Sequence, residues 1–150
     1  MDAVITSYSQ RFLDFLSRED GALCAAMKPA VDATGKPTGF LLAEVQPPNP
    51  RASAPLWIRT EDDEITVGFD AFHTHFSAWD ESTTEAQSFV GALTLARDIM
   101  AERALVASWW LEEKWSGSQL VEPGFKPERP EYVAGSAAAR VRSWTGARDQ

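Results

Sequence analysis

Helical periodicity is sustained in two places in this chain, and the longer of them limits what the remainder can be. Ser82-Thr83-Thr84-Glu85 is a capping-box signature, with Ser82 placed to accept from the Glu85 backbone N–H while the Glu85 carboxylate reaches back. Beyond it Ala86, Phe89, Val90, Leu93, Ala96, Arg97 and Met100 recur at helical spacing, and Leu95 and Ile99 widen the stripe. That pattern predicts a long helix with one face packed on a sheet. A second stripe, Ile5, Tyr8, Phe12, Leu13, Phe15 and Leu16, predicts an N-terminal helix to about Arg18, closed by Glu19-Asp20-Gly21.

The other apolar runs are of strand length and are bounded by turn residues. Ala22 to Lys28, between Gly21 and Pro29, reads as a strand. Gly35-Lys36-Pro37-Thr38-Gly39 reads as a turn, and Phe40 to Val45 as a strand that Pro47-Pro48 must stop, because proline cannot donate to a ladder. Leu56 to Arg59 and Ile65 to Phe69 form a hairpin about the polar turn Glu61-Asp62-Asp63-Glu64. Leu105 to Leu111 pairs with Gln119 to Val121 through Ser116-Gly117-Ser118, and Ala137 to Thr145 alternates as a half-buried terminal strand. The expected fold is α+β: a single domain over residues 1–150, with an antiparallel sheet of about five to seven strands. An N-terminal helix and one long central helix pack on one of its faces.

Length and composition set outer limits. A chain of 150 residues suits one core, and 44% hydrophobic with 24% charged residues is a globular balance. The formal net charge of −8 repels phosphate backbones and anionic lipid, so nucleic-acid and membrane partners are disfavoured and a basic protein partner is favoured. Cys24 is the single cysteine, which excludes an intrachain disulfide. Met1-Asp2-Ala3-Val4-Ile5 lacks the basic start and apolar run of a signal peptide, so a cytoplasmic location is expected.

Three groups of residues invite a functional reading. His73 and His75, two apart on a strand, point to one side as a pair of metal ligands would, with Asp70 or Asp80 available as a carboxylate. A metal-binding domain or metal-dependent hydrolase is therefore one reading. A β-bulge near Asp70 would turn Phe72, Thr74 and Phe76 inward and leave both histidines facing solvent. Cys24 has apolar neighbours, which raise rather than lower a thiol pKa, and Ala33-Thr34-Gly35-Lys36-Pro37 lacks the first glycine and the final Ser or Thr of a phosphate loop. No catalytic residue and no cofactor are expected.

The second group is aromatic and basic. Strand alternation puts Trp109 in the core and Trp110 outward, and places Trp144 on one face with Arg140 and Arg142. Trp110, Arg142 and Trp144 are either interface anchors or plain core. The third group is acidic: Glu61, Asp62, Asp63, Glu64, Asp70, Asp80, Glu81 and Glu85 fall between positions 61 and 96 with no Lys or Arg among them. The rest of the chain balances at 14 acidic and 14 basic residues, so the whole excess of charge lies there. Such a stretch is either a solvated surface or a patch that steers a basic partner.

The stretch Glu64-Ile65-Thr66-Val67-Gly68-Phe69-Asp70-Ala71-Phe72-His73-Thr74-His75-Phe76, with Asp80 and the closing Ser143-Trp144-Thr145-Gly146, resembles small bacterial immunity proteins of polymorphic toxin systems. The resemblance implies a protein that binds and neutralises a cognate toxin domain, with no activity of its own. The residues expected at the partner are Glu61, Asp62, Asp63, Asp70, His73, His75, Asp80, Trp110, Arg142 and Trp144. A monomer or homodimer is expected, and a self-associating scaffold using the same Trp surface is a third reading.

Overall fold

The computed structural model describes residues 4–131, 133, 135 and 137–150; Met1, Asp2 and Ala3, on which part of the leader reading rested, lie outside them. The fold is α+β, as the spacing predicts, but the strands are shared between two sheets. The chain makes two compact units interleaved in sequence: Met1–Val45, Trp57–Val67 and Thr74–Thr94 form one, and Gln46–Leu56, Gly68–His73 and Leu95–Gln150 the other.

The first unit opens with α1 (Ser7–Glu19), capped by the Thr6 hydroxyl, which accepts from the Ser9 N–H. Asp20 closes α1 through its N–H to the Leu16 carbonyl, and its carboxylate accepts from the Leu23 N–H to begin α2 (Gly21–Ala26). The strand expected over Ala22 to Lys28 is thus a short helix. The local signal was the Asp20 cap before an Ala-rich run, and burial of Leu23 holds a segment too short to be helical alone.

The five-stranded antiparallel sheet follows the chain order β1 (Lys28–Val31), β2 (Pro37–Val45), β3 (Leu56–Glu61), β4 (Glu64–Phe69) and β5 (Phe72–Ser77). Pro29 is tolerated because β1 is an edge strand. The turn between β3 and β4 is the acidic one expected, with Asp62 at φ +46° and Asp63 at φ +58°, the left-handed pair that two-residue hairpins use. A second reversal, where a bulge was expected, occurs at Asp70-Ala71 with Asp70 at φ +52°. The apolar face changes there because the chain turns back. The outcome for β5 is the one anticipated: Phe72, Thr74 and Phe76 are half-buried, and His73 and His75 are exposed.

Helix α3 (Glu85–Met100) begins three residues later than its predicted cap. The capping box is Thr84 with Gln87: the Thr84 hydroxyl accepts from the Gln87 N–H at 3.1 Å, and the Gln87 side-chain oxygen accepts from the Thr84 N–H at 2.8 Å. Phe89 of α3 packs against Tyr8, Phe12 and Phe15 of α1 at centroid separations of 5.5, 5.3 and 5.6 Å. This aromatic cluster is the heart of the first unit.

The second unit is built on β6 (Leu105–Leu111), β7 (Lys114–Val121) and β8 (Ala138–Arg142), in the order β7-β6-β8. The hairpin reverses at Glu112-Glu113, with Glu112 at φ +57°, and not at Ser116-Gly117-Ser118. Those three residues lie within β7, where pairing shifts from Trp109 opposite Gly117 to Trp110 opposite Trp115 and leaves Ser116 as a bulge. Leu105, Ala107, Trp109, Val121, Val133 and Val141 make its core. The terminal strand is shorter than its alternation suggested. After Arg142 the chain turns through Gly146 at φ +83°, and Gln150 exchanges two backbone hydrogen bonds with Val141.

Candidate functional site

The alternation of β3 divides its side chains by face. Leu56, Ile58 and Thr60 are buried, whereas Trp57, Arg59 and Glu61 point the other way. In β2 the buried residues are Leu41 and Ala43, with Phe40, Leu42 and Glu44 opposite. Helix α1 covers the buried face, since the Ser9 hydroxyl lies 2.6 Å from that of Thr60. The other face carries a groove of about 540 Å³ whose main side chains are Phe40, Leu42, Glu44, Trp57, Arg59 and Glu61.

The floor of this groove is apolar and aromatic, and its charges are ordered. The Arg59 guanidinium stands 5.3 Å from the Trp57 ring centroid, and its Nε lies 3.5 Å from a Glu61 carboxylate oxygen. Phe40 and Glu61 also line a second depression of about 440 Å³, together with Thr6, Tyr8, Ser9, Asp62 and Asp63. Three of the acidic residues singled out in the sequence, Glu61, Asp62 and Asp63, therefore border one aromatic surface. Burial pushes the Tyr8 phenol up to about 12, the neighbouring Ser88 hydroxyl opposes this, and the charges of Glu85, Asp63 and Glu64 add to it.

The remaining acidic and histidine residues are engaged elsewhere in the fold. His75 Nδ1 lies 2.9 Å from Glu64 Oε1 and 2.9 Å from the Thr66 hydroxyl, a cross-strand cluster on β4 and β5. Glu85 forms a two-pronged pair with Arg11, its shortest contact 2.7 Å. Asp80 accepts from the Ser82 N–H at 2.9 Å and from the Ser82 hydroxyl, and these bonds hold its carboxyl below the usual range. It follows Trp79, which is 66% exposed. Asp70 is a turn residue at the opposite end of β4 from Glu64, so the acidic stretch is not one continuous patch. Among the described residues, no three His, Cys, Asp or Glu side chains are grouped as a metal site would need.

The aromatic and basic set lies in the second unit. Trp110 is half-buried, with the Arg140 guanidinium 4.7 Å from its ring centroid and its indole N–H donated to the Ser108 hydroxyl at 2.8 Å. Arg142 is half-buried and 3.9 Å from an Asp149 carboxylate oxygen. Trp144 is core: it is 5% exposed and meets Phe69 edge-on at 6.0 Å.

Sequence reasoning did not single out Phe40, Leu42, Glu44, Trp57 or Arg59. The signal was present in Leu56-Trp57-Ile58-Arg59-Thr60-Glu61, whose period of two separates an aliphatic face from one bearing Trp, Arg and Glu. No known protein family, characterised protein or solved structure matches the chain, so its geometry carries the functional reading. Among the described residues no helix is long and apolar enough to cross a membrane. The arrangement on the outer face offers cation–π contact, charge pairing and apolar burial, which is the chemistry of recognition.

Proposed function

We propose that this protein is a binding protein of the immunity type, acting in the cytoplasm. It engages a basic cognate toxin domain through the outer face of the five-stranded sheet and neutralises it by occupying that surface, with no reaction of its own. The observation that carries the reading is the groove over Phe40, Leu42 and Trp57, bordered by Glu44 and Glu61, with Asp62 and Asp63 in a second depression that shares Phe40 and Glu61. An aromatic floor beside an excess of carboxylates divides the work of association. The carboxylates raise the encounter rate of a basic partner, and the buried aromatic surface slows its departure.

The test is a search of the neighbouring genes for a toxin domain, followed by its affinity for this chain; the absence of any such domain there would count against the reading. Trp57→Ala is expected to weaken binding at least about thirtyfold, chiefly through koff, as removal of an aromatic anchor costs about 2 kcal/mol or more. Asp62→Asn with Asp63→Asn is expected to lower kon and flatten its salt dependence. Unchanged affinity and salt dependence in both variants would refute the assignment of this face.

A further inference from the structure

The groove already holds a cation. Among the described side chains that line it, Arg59 carries the one positive charge, against the carboxylates of Glu44 and Glu61. Its guanidinium lies between an aromatic ring and a carboxylate, the two groups that together recognise an arginine side chain. We infer that Arg59 is the groove's own stand-in occupant, and that the partner docks by inserting an arginine into the seat on Trp57 and Glu61 that Arg59 fills in the free protein. This inference rests on the reading of the outer sheet face as the binding surface, and specifies the ligand chemistry that face takes.

Two properties of the contact favour displacement. The Arg59 and Glu61 side chains are each 46% exposed, and their pair is a single 3.5 Å contact, so solvent screens it and little holds it closed. Arg59 is also anchored within the β3 backbone, so it swings aside without disturbing the strand, whose inward side chains Ile58 and Thr60 stay buried. The vacated seat faces Glu61 and, past Phe40, the Asp62-Asp63 turn. An incoming guanidinium meets the same ring and carboxylate that Arg59 leaves, with the charge of the Asp62-Asp63 turn beyond Phe40. Arginine is preferred over lysine because its planar head stacks on the indole while pairing with the carboxylate in the same plane.

The experiment uses the full chain and a labelled hexa-arginine peptide, with hexa-lysine and hexa-glutamate for comparison. Affinity is read by anisotropy at about 150 mM salt, where charges beyond about 8 Å are screened. Side-chain NMR signals of Trp57 Nε1–H and Arg59 Nε–H are followed in parallel. Arg59→Gln is expected to bind hexa-arginine roughly threefold to tenfold more tightly, the range for loss of one exposed cation–π contact and one exposed pair. Lys126→Gln, an equal change of charge at an exposed site in the second unit, is expected to leave the affinity unchanged within about twofold. Hexa-arginine is expected to bind more tightly than hexa-lysine and to move both NMR signals.

If Trp57→Leu weakens peptide binding while Arg59→Gln binds equally or less well, Arg59 is no stand-in and the inference fails, though the face remains a binding surface. Preference for hexa-glutamate, or no detectable hexa-arginine binding, also overturns it. Failure of the parent proposal has a different signature: affinity for the toxin domain that ignores Trp57 altogether.

Discussion

Replacing Thr60 by valine tests how the buried side of the sheet is tied to α1. Thr60 is 1% exposed, and its hydroxyl oxygen accepts from the Leu41 N–H at 3.0 Å while lying 2.6 Å from the Ser9 hydroxyl. The start of β2 is also tied to the cap of α1. Gly39 sits at φ +85°, with its carbonyl accepting from the Thr6 N–H at 2.8 Å. Valine keeps the shape but removes the acceptor, leaving a buried amide unsatisfied at a cost of about 1–3 kcal/mol, plus about 1 kcal/mol for the bond to Ser9. A new buried methyl returns about 0.8 kcal/mol. The expected net loss is about 1–3 kcal/mol, or roughly 3–10 °C in Tm for a chain of this size.

Ser9→Ala is the milder change, about 1 kcal/mol, because Thr60 still serves Leu41. In the double variant the effects should not add, since the Ser9 hydroxyl retains its bond from Thr6 at 2.9 Å when Thr60 is gone and the shared contact is lost only once. Urea unfolding followed by far-UV circular dichroism and by Trp fluorescence gives the free energies where the two transitions coincide. A loss below about 0.5 kcal/mol in Thr60→Val, or additive behaviour in the double variant, would show that the polar contact is incidental to the packing of α1.

Three further outcomes follow from local geometry. Asp62→Asn with Asp63→Gly relieves a left-handed pair that aspartate only tolerates. It should raise stability by about 0.5–1 kcal/mol in urea while weakening partner binding, and a fall in both would refute the turn assignment. Gly146→Ala should cost about 1–3 kcal/mol, because Gly146 sits at φ +83° and a Cβ there would lie 2.9 Å from the Ala52 Cβ; an unchanged urea midpoint would contradict it. The raised Tyr8 phenol makes the protein lose stability as pH climbs from 10 to about 12, where the unfolded chain releases a proton that the native state keeps. Tyr8→Phe should flatten that decline between about pH 10 and about pH 12, and equal slopes in the two proteins would exclude Tyr8 as its source.

Element types were legible wherever a local period agreed with its punctuation. Helix α3, strands β3 and β4 and their acidic turn could all be read because hydrophobic spacing and turn residues pointed the same way. The failures came where two readings of one stretch differed only by a tertiary choice. Ala22 to Lys28 suits a short strand or a short helix until Asp20 caps it and Leu23 is buried. Ser116-Gly117-Ser118 looks like a turn, yet the left-handed Glu112 reverses the chain earlier and Ser116 is absorbed as a bulge. Left-handed glutamate at a turn has no strong sequence signature, whereas Gly and Ser do, so composition pointed to the wrong three residues.

The functional surface was harder to read than the fold because charge was counted along the chain while recognition depends on faces. The reversal at Asp70-Ala71 carries one part of the acidic stretch to the far end of β4, and Glu64 and Glu85 are taken up by His75 and Arg11. What remains beside an aromatic surface is Glu61, Asp62 and Asp63, and their neighbours come from β2 and β3, outside the stretch that drew attention. A single step in β3 alternation separates Trp57 from the aliphatic face, whereas Trp144 is buried. The terminal strand ends at Arg142, before the alternation that would have exposed Trp144. A tryptophan's role in this chain is fixed by the register of its strand and by where that strand stops, so the useful sequence observable is the period-two partition of each strand.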